Sequence, residues 1–557
     1  MRKNKIDWPD AGMLCMELLF ALFAAAVLSM SAFMDAPDAA LILLPLCTAV
    51  FFCVMRIFMK RFEQFGIAPL NEQRGRLDPR VFLGVFLAVF LVCLWALMAY
   101  YPGGSTYDNY NQWKQIQTVA FDDWHPAFHS MLIWLVTRIV NRYAFFIGAQ
   151  ILFFSLMAGY MAATLRAWGV RLFWIAVFVL TVLSARSTRN ILLFAWKDSL
   201  FTCLLLWLAV YIINILLSKG GWLRPRFNQI ALAGVLVMVS IVRHNGIFVT
   251  IPLVILLFAL YGKKKHAQIG FSCLLAFMTI FLIKGPIYRI VGVTREDPNQ
   301  TYVEAVGLPM TILCSVYTTR PEALDHEAAV LMQTLAPPEV WEQYFHFGNY
   351  NSIKWVVDAN RFVEEVPPGK LLAMTWRACR NAPIVSMRAA LTLTQFVWDP
   401  HIIDYSVDWW RTEDDYFELP EGKRSITDEA AQQNHERAEF FRKPYLVLDD
   451  VIKGFTPSRA LQSVGLNMLA LALFAWFSLR KRRGWAALLP ALPVIAYNIG
   501  TALMLCGGDY RFFQFNAVVT VPFLLVLCAK APVKSPAPDE FISMEENINE
   551  GSTSALH

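Results

Sequence analysis

FLGVFLAVFLVCLWALMAY, residues 82–100, runs nineteen residues without an Asp, Glu, Lys or Arg. A helix rises ~1.5 Å per residue, so ~20 apolar residues cross the ~30 Å hydrocarbon layer of a bilayer. Polar residues return at once in YPGGSTYDNYNQ, 101–112. The segment is read as a membrane span that delivers a polar loop to one face of the membrane.

Working outward, the pattern recurs along the chain. Of its 557 residues 57% are hydrophobic and 17% charged, with a mean hydropathy of +0.45. Soluble domains are ~45–50% apolar and ~25% charged, and single cores stop growing at roughly 250–300 residues. Composition excludes a cytosolic enzyme and a nucleic-acid binder, and it predicts an all-α integral membrane protein. Twelve spans are expected, at 11–33, 39–59, 82–100, 144–165, 171–186, 190–217, 229–242, 246–261, 268–290, 461–479, 485–506 and 512–530. The first follows the basic lead MRKNKIDWPD and is too long for the apolar core of a signal peptide.

A further apolar stretch, 127–140, is short and amphipathic, with Arg138 near its end and Arg142 just beyond it. Lys and Arg collect on the cytoplasmic side of membrane proteins. If this stretch spans, the later basic clusters fall outside. If it lies on the outer surface, six clusters face the cytoplasm together: Arg2/Lys3/Lys5, the segment Arg56 to Arg80, Arg166/Arg171, Lys219/Arg224/Arg226, Lys263/Lys264/Lys265 and Arg480/Lys481/Arg482/Arg483. The net charge of +6 matters less than this placement. An outer juxtamembrane helix is therefore expected at 127–140, with both termini cytoplasmic.

The organisation that follows has two N-terminal spans and a basic loop in 1–80, and a membrane module at 81–290 with its outer loop 101–143. A mainly helical extracytoplasmic domain follows at 291–460, then three C-terminal spans at 461–530 and a disordered tail at 531–557. Ten cysteines are too few for a disulfide scaffold, and most lie in apolar runs as small hydrophobes. Cys314 and Cys379 fall in the polar domain, and spacing alone leaves a bridge between them open.

This topology gathers the unusual residues at the outer face. The loop after 82–100 carries Asp108, Asp122, Asp123, His125 and His129. Arg186 and Arg189, Arg243 and His244 (in VRHNG), and Asp509 and Arg511 (in GGDYRFF) occupy three further outer connections. Lys197 and Asp198 are expected inside a span, where an ionised group costs at least ~2.5 kcal/mol and needs a partner. Neighbours along a helix point different ways, so the two should have separate partners. Each residue also has a plainer reading. Asp108 is a turn residue beside Gly103-Gly104, His125 marks a helix start, Asp122 and Asp123 favour a helix N-terminus, and the arginines snorkel to lipid phosphates. The His-x3-His of His125 and His129 holds a metal only with a third ligand.

An acid just after a span, a polar stretch and a His-Pro step opening a helix together resemble the first outer loop of GT-C superfamily glycosyltransferases. In protein O-mannosyltransferases and lipid A aminoarabinose transferases that loop carries an essential acid and an HPP or KPP step. The matching positions are Asp108 and His125-Pro126. PGGSTYDNYNQ, WHPAFHS, the Lys-Asp pair and VRHNG together are similar to an uncharacterised family of large bacterial multi-pass proteins with expected GT-C architecture, over roughly 80–530. Two departures stand out: Asn109 where an acidic pair continues, and Ala127 for the second proline.

The resemblance implies an inverting glycosyltransferase of the bacterial cytoplasmic membrane. Its partners would be a polyprenyl-phosphate-linked sugar, an extracytoplasmic acceptor and membrane lipid, with no nucleic acid. Asp108 would be the base, with His125 orienting the acceptor or touching phosphate. The binding set would be Arg186, Arg189, Lys197, Asp198, Arg243, His244, Asp509 and Arg511, led by Arg243 and Arg511 on the leaving phosphate. No cofactor is certain; a divalent cation, Mg or Mn, stays open. The aromatics of the polar domain (Trp341, Tyr344, Trp355, Trp409, Trp410) would be core or a sugar-stacking cover. The alternatives are a transporter or flippase of a lipid-linked or anionic solute, and a non-catalytic scaffold.

Overall fold

The structure is a computed structural model. It describes residues 14–26 in part, 37–64, 75–400 apart from 105, 296, 355, 358–361 and 363–365, then 402, 440–452, 460–480 and 485–526. The expected disordered tail, the N-terminal basic lead, Lys481–Arg483, and Trp355, Trp409 and Trp410 lie outside the described residues. Among the described residues 82% are helical and no strand forms.

The principal helices are α1 (Pro37–Gln64), α2 (Pro79–Ala99), α3 (Tyr107–Thr118), α4 (Ala127–Thr137), α5 (Tyr143–Ala167), α6 (Leu172–Ser184), α7 (Arg186–Ile191), α8 (Lys197–Leu217), α9 (Arg226–Val242) and α10 (Ile247–Leu282). They continue with α11 (Gly307–Thr319), α12 (Pro368–Asn381), α13 (Pro383–Trp398), α14 (Val464–Arg480), α15 (Leu488–Met504) and α16 (Asn516–Leu525). Four helical stretches are long and apolar enough to cross a membrane: Pro79–Ala99, Tyr143–Ala167, Lys197–Leu217 and His244–Val291. Several others are apolar but shorter, at 10–17 residues, including α6, α9, α14 and α15. Large apolar side chains such as Leu274, Phe277 and Phe281 stand more than 60% exposed on α10. A contiguous surface of that kind is stable against lipid and unstable in water.

The stretch His244–Val291 is 48 residues long, and as one straight helix it would reach about 72 Å. Yet both ends meet the same loop. His244 donates through Nε2 to the carbonyl of Asp123 at 3.2 Å, while the Tyr288 hydroxyl accepts from the Phe128 amide at 2.9 Å. Thr294 exchanges backbone bonds with Phe121 and Asp123. The helix therefore doubles back, and it breaks at Lys265 (φ −135°, ψ 16°), within the Lys263–Lys265 cluster.

Helix direction then sorts the charges. α8 starts at Lys197 and ends just before Lys219; α9 starts at Arg226 and ends just before Arg243; α10 leaves from His244 toward Lys265. The basic clusters thus occupy the opposite helix ends from Lys197, Arg243 and His244. The stretch expected to lie flat forms α4, 11 residues, or about 16 Å, too short to cross a bilayer alone.

Between α10 and α14 a helical unit has its own core, built on Met310, Leu313, Met332, Trp341, Tyr350 and Met374. Asp325 caps the helix His326–Leu335 by accepting from the Ala328 amide, and Pro383 opens α13 at a position that needs no amide hydrogen. Trp341 is core, 1% exposed, donating Nε1 to the carbonyls of Met332 and Ala336; Tyr344 is exposed. Cys314 and Cys379 are free thiols, so no bridge joins them. Residues 440–452, expected with this polar unit, instead pack on the apolar module. Tyr445 is fully buried beside Trp95 and Tyr100, and Trp95 donates to the carbonyl of Phe441.

Candidate functional site

Two backbone features build the site. The first is Gly103-Gly104. Gly103 has φ +113°, and a Cβ there would stand 2.8 Å from the carbonyl of Leu193. The pair lets the loop lie directly on residues 192–196, where the Gly104 amide donates to Leu193 at 2.9 Å. The second is 192–196 itself, which is not helical. The expected span 190–217 begins only at Lys197, because other groups satisfy this backbone. Gln150 donates to the carbonyls of Leu192 and Phe194, and the Tyr143 hydroxyl accepts from the Ala195 amide. Irregular backbone as buried as 192–196 persists only when its polar groups are met in this way.

Lys197 and Asp198 consequently sit in the first turn of α8 rather than partway along it. Asp198 is favoured there by the helix dipole. The two residues turn to different partners. Asp198 is ion-paired with Arg243, both nearly fully buried, and Arg243 is further enclosed by the rings of Phe512, Phe201 and Tyr497. Lys197 Nζ lies 2.9 Å from His125 Nδ1. An ammonium has no lone pair, so Nδ1 accepts and the ring proton sits on Nε2, 3.7 Å from Asp108 Oδ1.

Asp108 lies in the first turn of α3. Asn109, where the resemblance would put a second acid, is a buried cap instead, its Oδ1 accepting from both the amide and the hydroxyl of Thr106. Thr106 in turn accepts from Trp196 Nε1 at 2.9 Å, tying the start of α3 to the start of α8. Asp108 Oδ2 accepts from Arg511 at 2.8 Å. The same guanidinium meets Asp509 at 2.7 Å and lies over the rings of Trp196 and Phe512. The result is a row of groups from four separate segments: Lys197, His125, Asp108, Arg511, Asp509.

The row sets its own protonation. Burial works against the charge on Asp108, but Arg511, His125 and Lys197 outweigh it and hold the carboxyl down at about 2. Burial, reinforced by the Lys197 charge, pushes His125 down to about 3. At neutral pH Asp108 is therefore a carboxylate and His125 a neutral imidazole.

These groups border a cavity of about 790 Å³. Asp108, His125, Lys197, Arg243, His244, Asp509 and Arg511 all line it. The size suits a small organic ligand or a glycosyl unit, since ligand pockets run ~300–1,000 Å³. The helical unit after α10 supplies the facing wall with Thr301, Glu304, Asn349, Asn351 and Lys354. That wall is pinned down: the Asn351 amide donates to the Cys506 carbonyl at 2.8 Å, and Lys354 meets Glu304 at 2.5 Å. Nothing in the sequence marked these five residues, because their place on the cavity is a tertiary contact, as where Asn349 and Asn351 meet Gly507.

Arg186 and Arg189 are a correction. They do not line the cavity. Both hold Asp449, at 3.1 and 2.7 Å, and Arg189 and Asp449 are each 1% exposed. They anchor 440–452 to the apolar module. Asp122 and Asp123 also do local work, Asp122 accepting from Gln115 and Trp124 and Asp123 from the Ala127 amide at the start of α4. His129, fully buried, contacts Gln112 through Nδ1 at 2.9 Å. Among the described residues no three His, Cys, Asp or Glu side chains come together as metal ligands.

No protein-family model, curated protein or solved structure matches the chain.

Proposed function

We propose that the cavity transfers a sugar from a polyprenyl-phosphate donor to an acceptor hydroxyl at the extracytoplasmic surface of a bacterial membrane, in a twelve-span protein with both termini inside. The observation that carries this reading is the convergence of Asp108, His125, Lys197, Arg243 and Arg511 on one cavity at the ends of apolar helices. A lipid-linked donor needs such a place, where its tail stays in the bilayer while its head meets water. The resemblance described above supplies the reaction class.

The chemistry follows from the residues. An acceptor hydroxyl attacks the anomeric carbon and passes its proton to the Asp108 carboxylate. The bond from that carbon to the phosphate oxygen breaks, and the oxygen keeps the electron pair. Arg511 and Lys197 stabilise the charge that develops there, with the guanidinium offering a two-pronged donor. Arg243, ion-paired with Asp198, orients the helix ends and lends positive potential. His125, neutral and held by Lys197, presents Nε2–H to Asp108 and the acceptor.

Asp108→Asn should abolish transfer while the protein still inserts. In cells, polyprenyl-phosphate sugar should then accumulate, read by mass spectrometry of extracted lipids; wild-type carrier levels would remove Asp108 from the mechanism. The non-helical stretch 192–196 favours a second reading, a transporter or flippase, because such proteins bind at interrupted helices. Proteoliposomes separate the two: a lipid-linked sugar that crosses without covalent change supports transport.

A further inference from the structure

Arg511 cannot serve the donor in the arrangement described. Its guanidinium already spans two carboxylates, Asp108 at 2.8 Å and Asp509 at 2.7 Å, while its plane lies over Trp196 and Phe512. Those contacts commit the guanidinium to two carboxylates, so an incoming phosphate can take it only when one of them yields. Asp509 is unsuited to yield, because its other oxygen accepts from the Arg511 amide at 2.9 Å and holds the turn that carries the arginine. Asp108 belongs to a different segment and has a second neighbour ready, His125 Nε2 at 3.7 Å.

We propose that Arg511 is a donor-operated cover on Asp108: phosphate of the lipid-linked sugar takes the guanidinium away from Asp108, and only then does the carboxylate become a competent base. This rests on the reading of the cavity as a lipid-phosphate site and adds an order to it, donor before acceptor. A carboxylate committed to an arginine is a weak base and is sterically engaged. Once the phosphate holds Arg511, Asp108 is left with His125, and its affinity for a proton rises. It then takes the proton of the attacking hydroxyl as the anomeric carbon–oxygen bond breaks and the electron pair stays with the departing phosphate. When the polyprenyl phosphate leaves, Arg511 returns and drives that proton off to solvent. With donor absent the base is silent, so the acceptor alone meets an inert site.

The cover and the donor compete for one cation, and this makes an unusual prediction. Removing a base normally leaves substrate affinity alone. Here Asp108→Asn should bind undecaprenyl phosphate about tenfold more tightly than wild type, since a bond to a charged group is released from competition. Asp108→Ala should behave alike, Asp108→Glu should stay near wild type because it keeps a competing carboxylate, and Arg511→Gln should lose at least tenfold. Binding is read by thermophoresis of the detergent-purified full chain, with matching melting curves confirming folding. Equal affinity of wild type, Asp108→Asn and Asp108→Ala, with Arg511→Gln weakened, overturns the cover and leaves the lipid-phosphate reading standing. No binding by any variant overturns both.

Discussion

Replacing Asp449 by Asn should be among the most damaging single changes in the protein, although Asp449 is not among the residues that line the cavity. Its carboxylate, 1% exposed, is held by Arg189 at 2.7 Å and Arg186 at 3.1 Å. Arg189 is equally buried, and it lies over the ring of Tyr445. Neutralising the acid removes the carboxylate that both guanidiniums meet, the Arg189 one fully buried. Removing a single partner of such a pair costs ~3–5 kcal/mol, whereas replacing both partners by apolar side chains is often near neutral. Three variants therefore order themselves. Asp449→Asn falls furthest. Arg189→Met falls less, because Arg186 still satisfies the acid. Arg189→Met with Asp449→Leu recovers part of the loss. Thermal unfolding in detergent, followed by tryptophan fluorescence, reads the order. The reasoning fails if Asp449→Asn melts with the wild type. It fails equally if Arg189→Met keeps wild-type melting but loses polyprenyl-phosphate binding, which would return Arg189 to the ligand.

Two further outcomes follow from the same geometry. His125 titrates at about 3 in the folded protein against an ordinary 6.5, so the unfolded chain binds more protons as pH falls; stability should decline from near pH 6.5 downward, and His125→Gln should flatten the upper part of that decline in melting curves taken from pH 7 to 4. Asp108 adds a stabilising contribution that is fully present above pH 3.8 and is lost as pH drops toward 2. Gly103→Ala should cost activity and stability together, because φ +113° and the carbonyl of Leu193 leave no room for a Cβ; a variant with wild-type melting and wild-type transfer would show that the loop tolerates another path.

What the sequence made legible was periodic or punctuated. Residues 82–100 announce a helix because nothing interrupts them, and Lys263–Lys265 announce a reversal because three charges cannot continue an apolar span. The pairing of distant loops was legible only as a shared side. Asp108 and Arg511, 403 residues apart, carry no local sign of each other. Two failures have physical causes. ILLFAW contains neither Gly nor Pro, so its departure from helix is invisible until Gln150, Tyr143 and Gly104 are seen satisfying its backbone. Arg186 and Arg189 looked like ligands because arginine at a span end wants an anion; the anion is Asp449, which the sequence placed in a separate polar domain.

Sugar transfer of this kind requires the cavity to seat a lipid-linked phosphate. Photolabelling tests this most directly, using a benzophenone-bearing polyprenyl phosphate, the purified full chain and peptide mapping by mass spectrometry. Adducts on the aromatic lining (Trp124, Phe396 or Phe512), suppressed by excess undecaprenyl phosphate, are the predicted result. Competable adducts confined to surfaces away from these residues, or none at all, would contradict it.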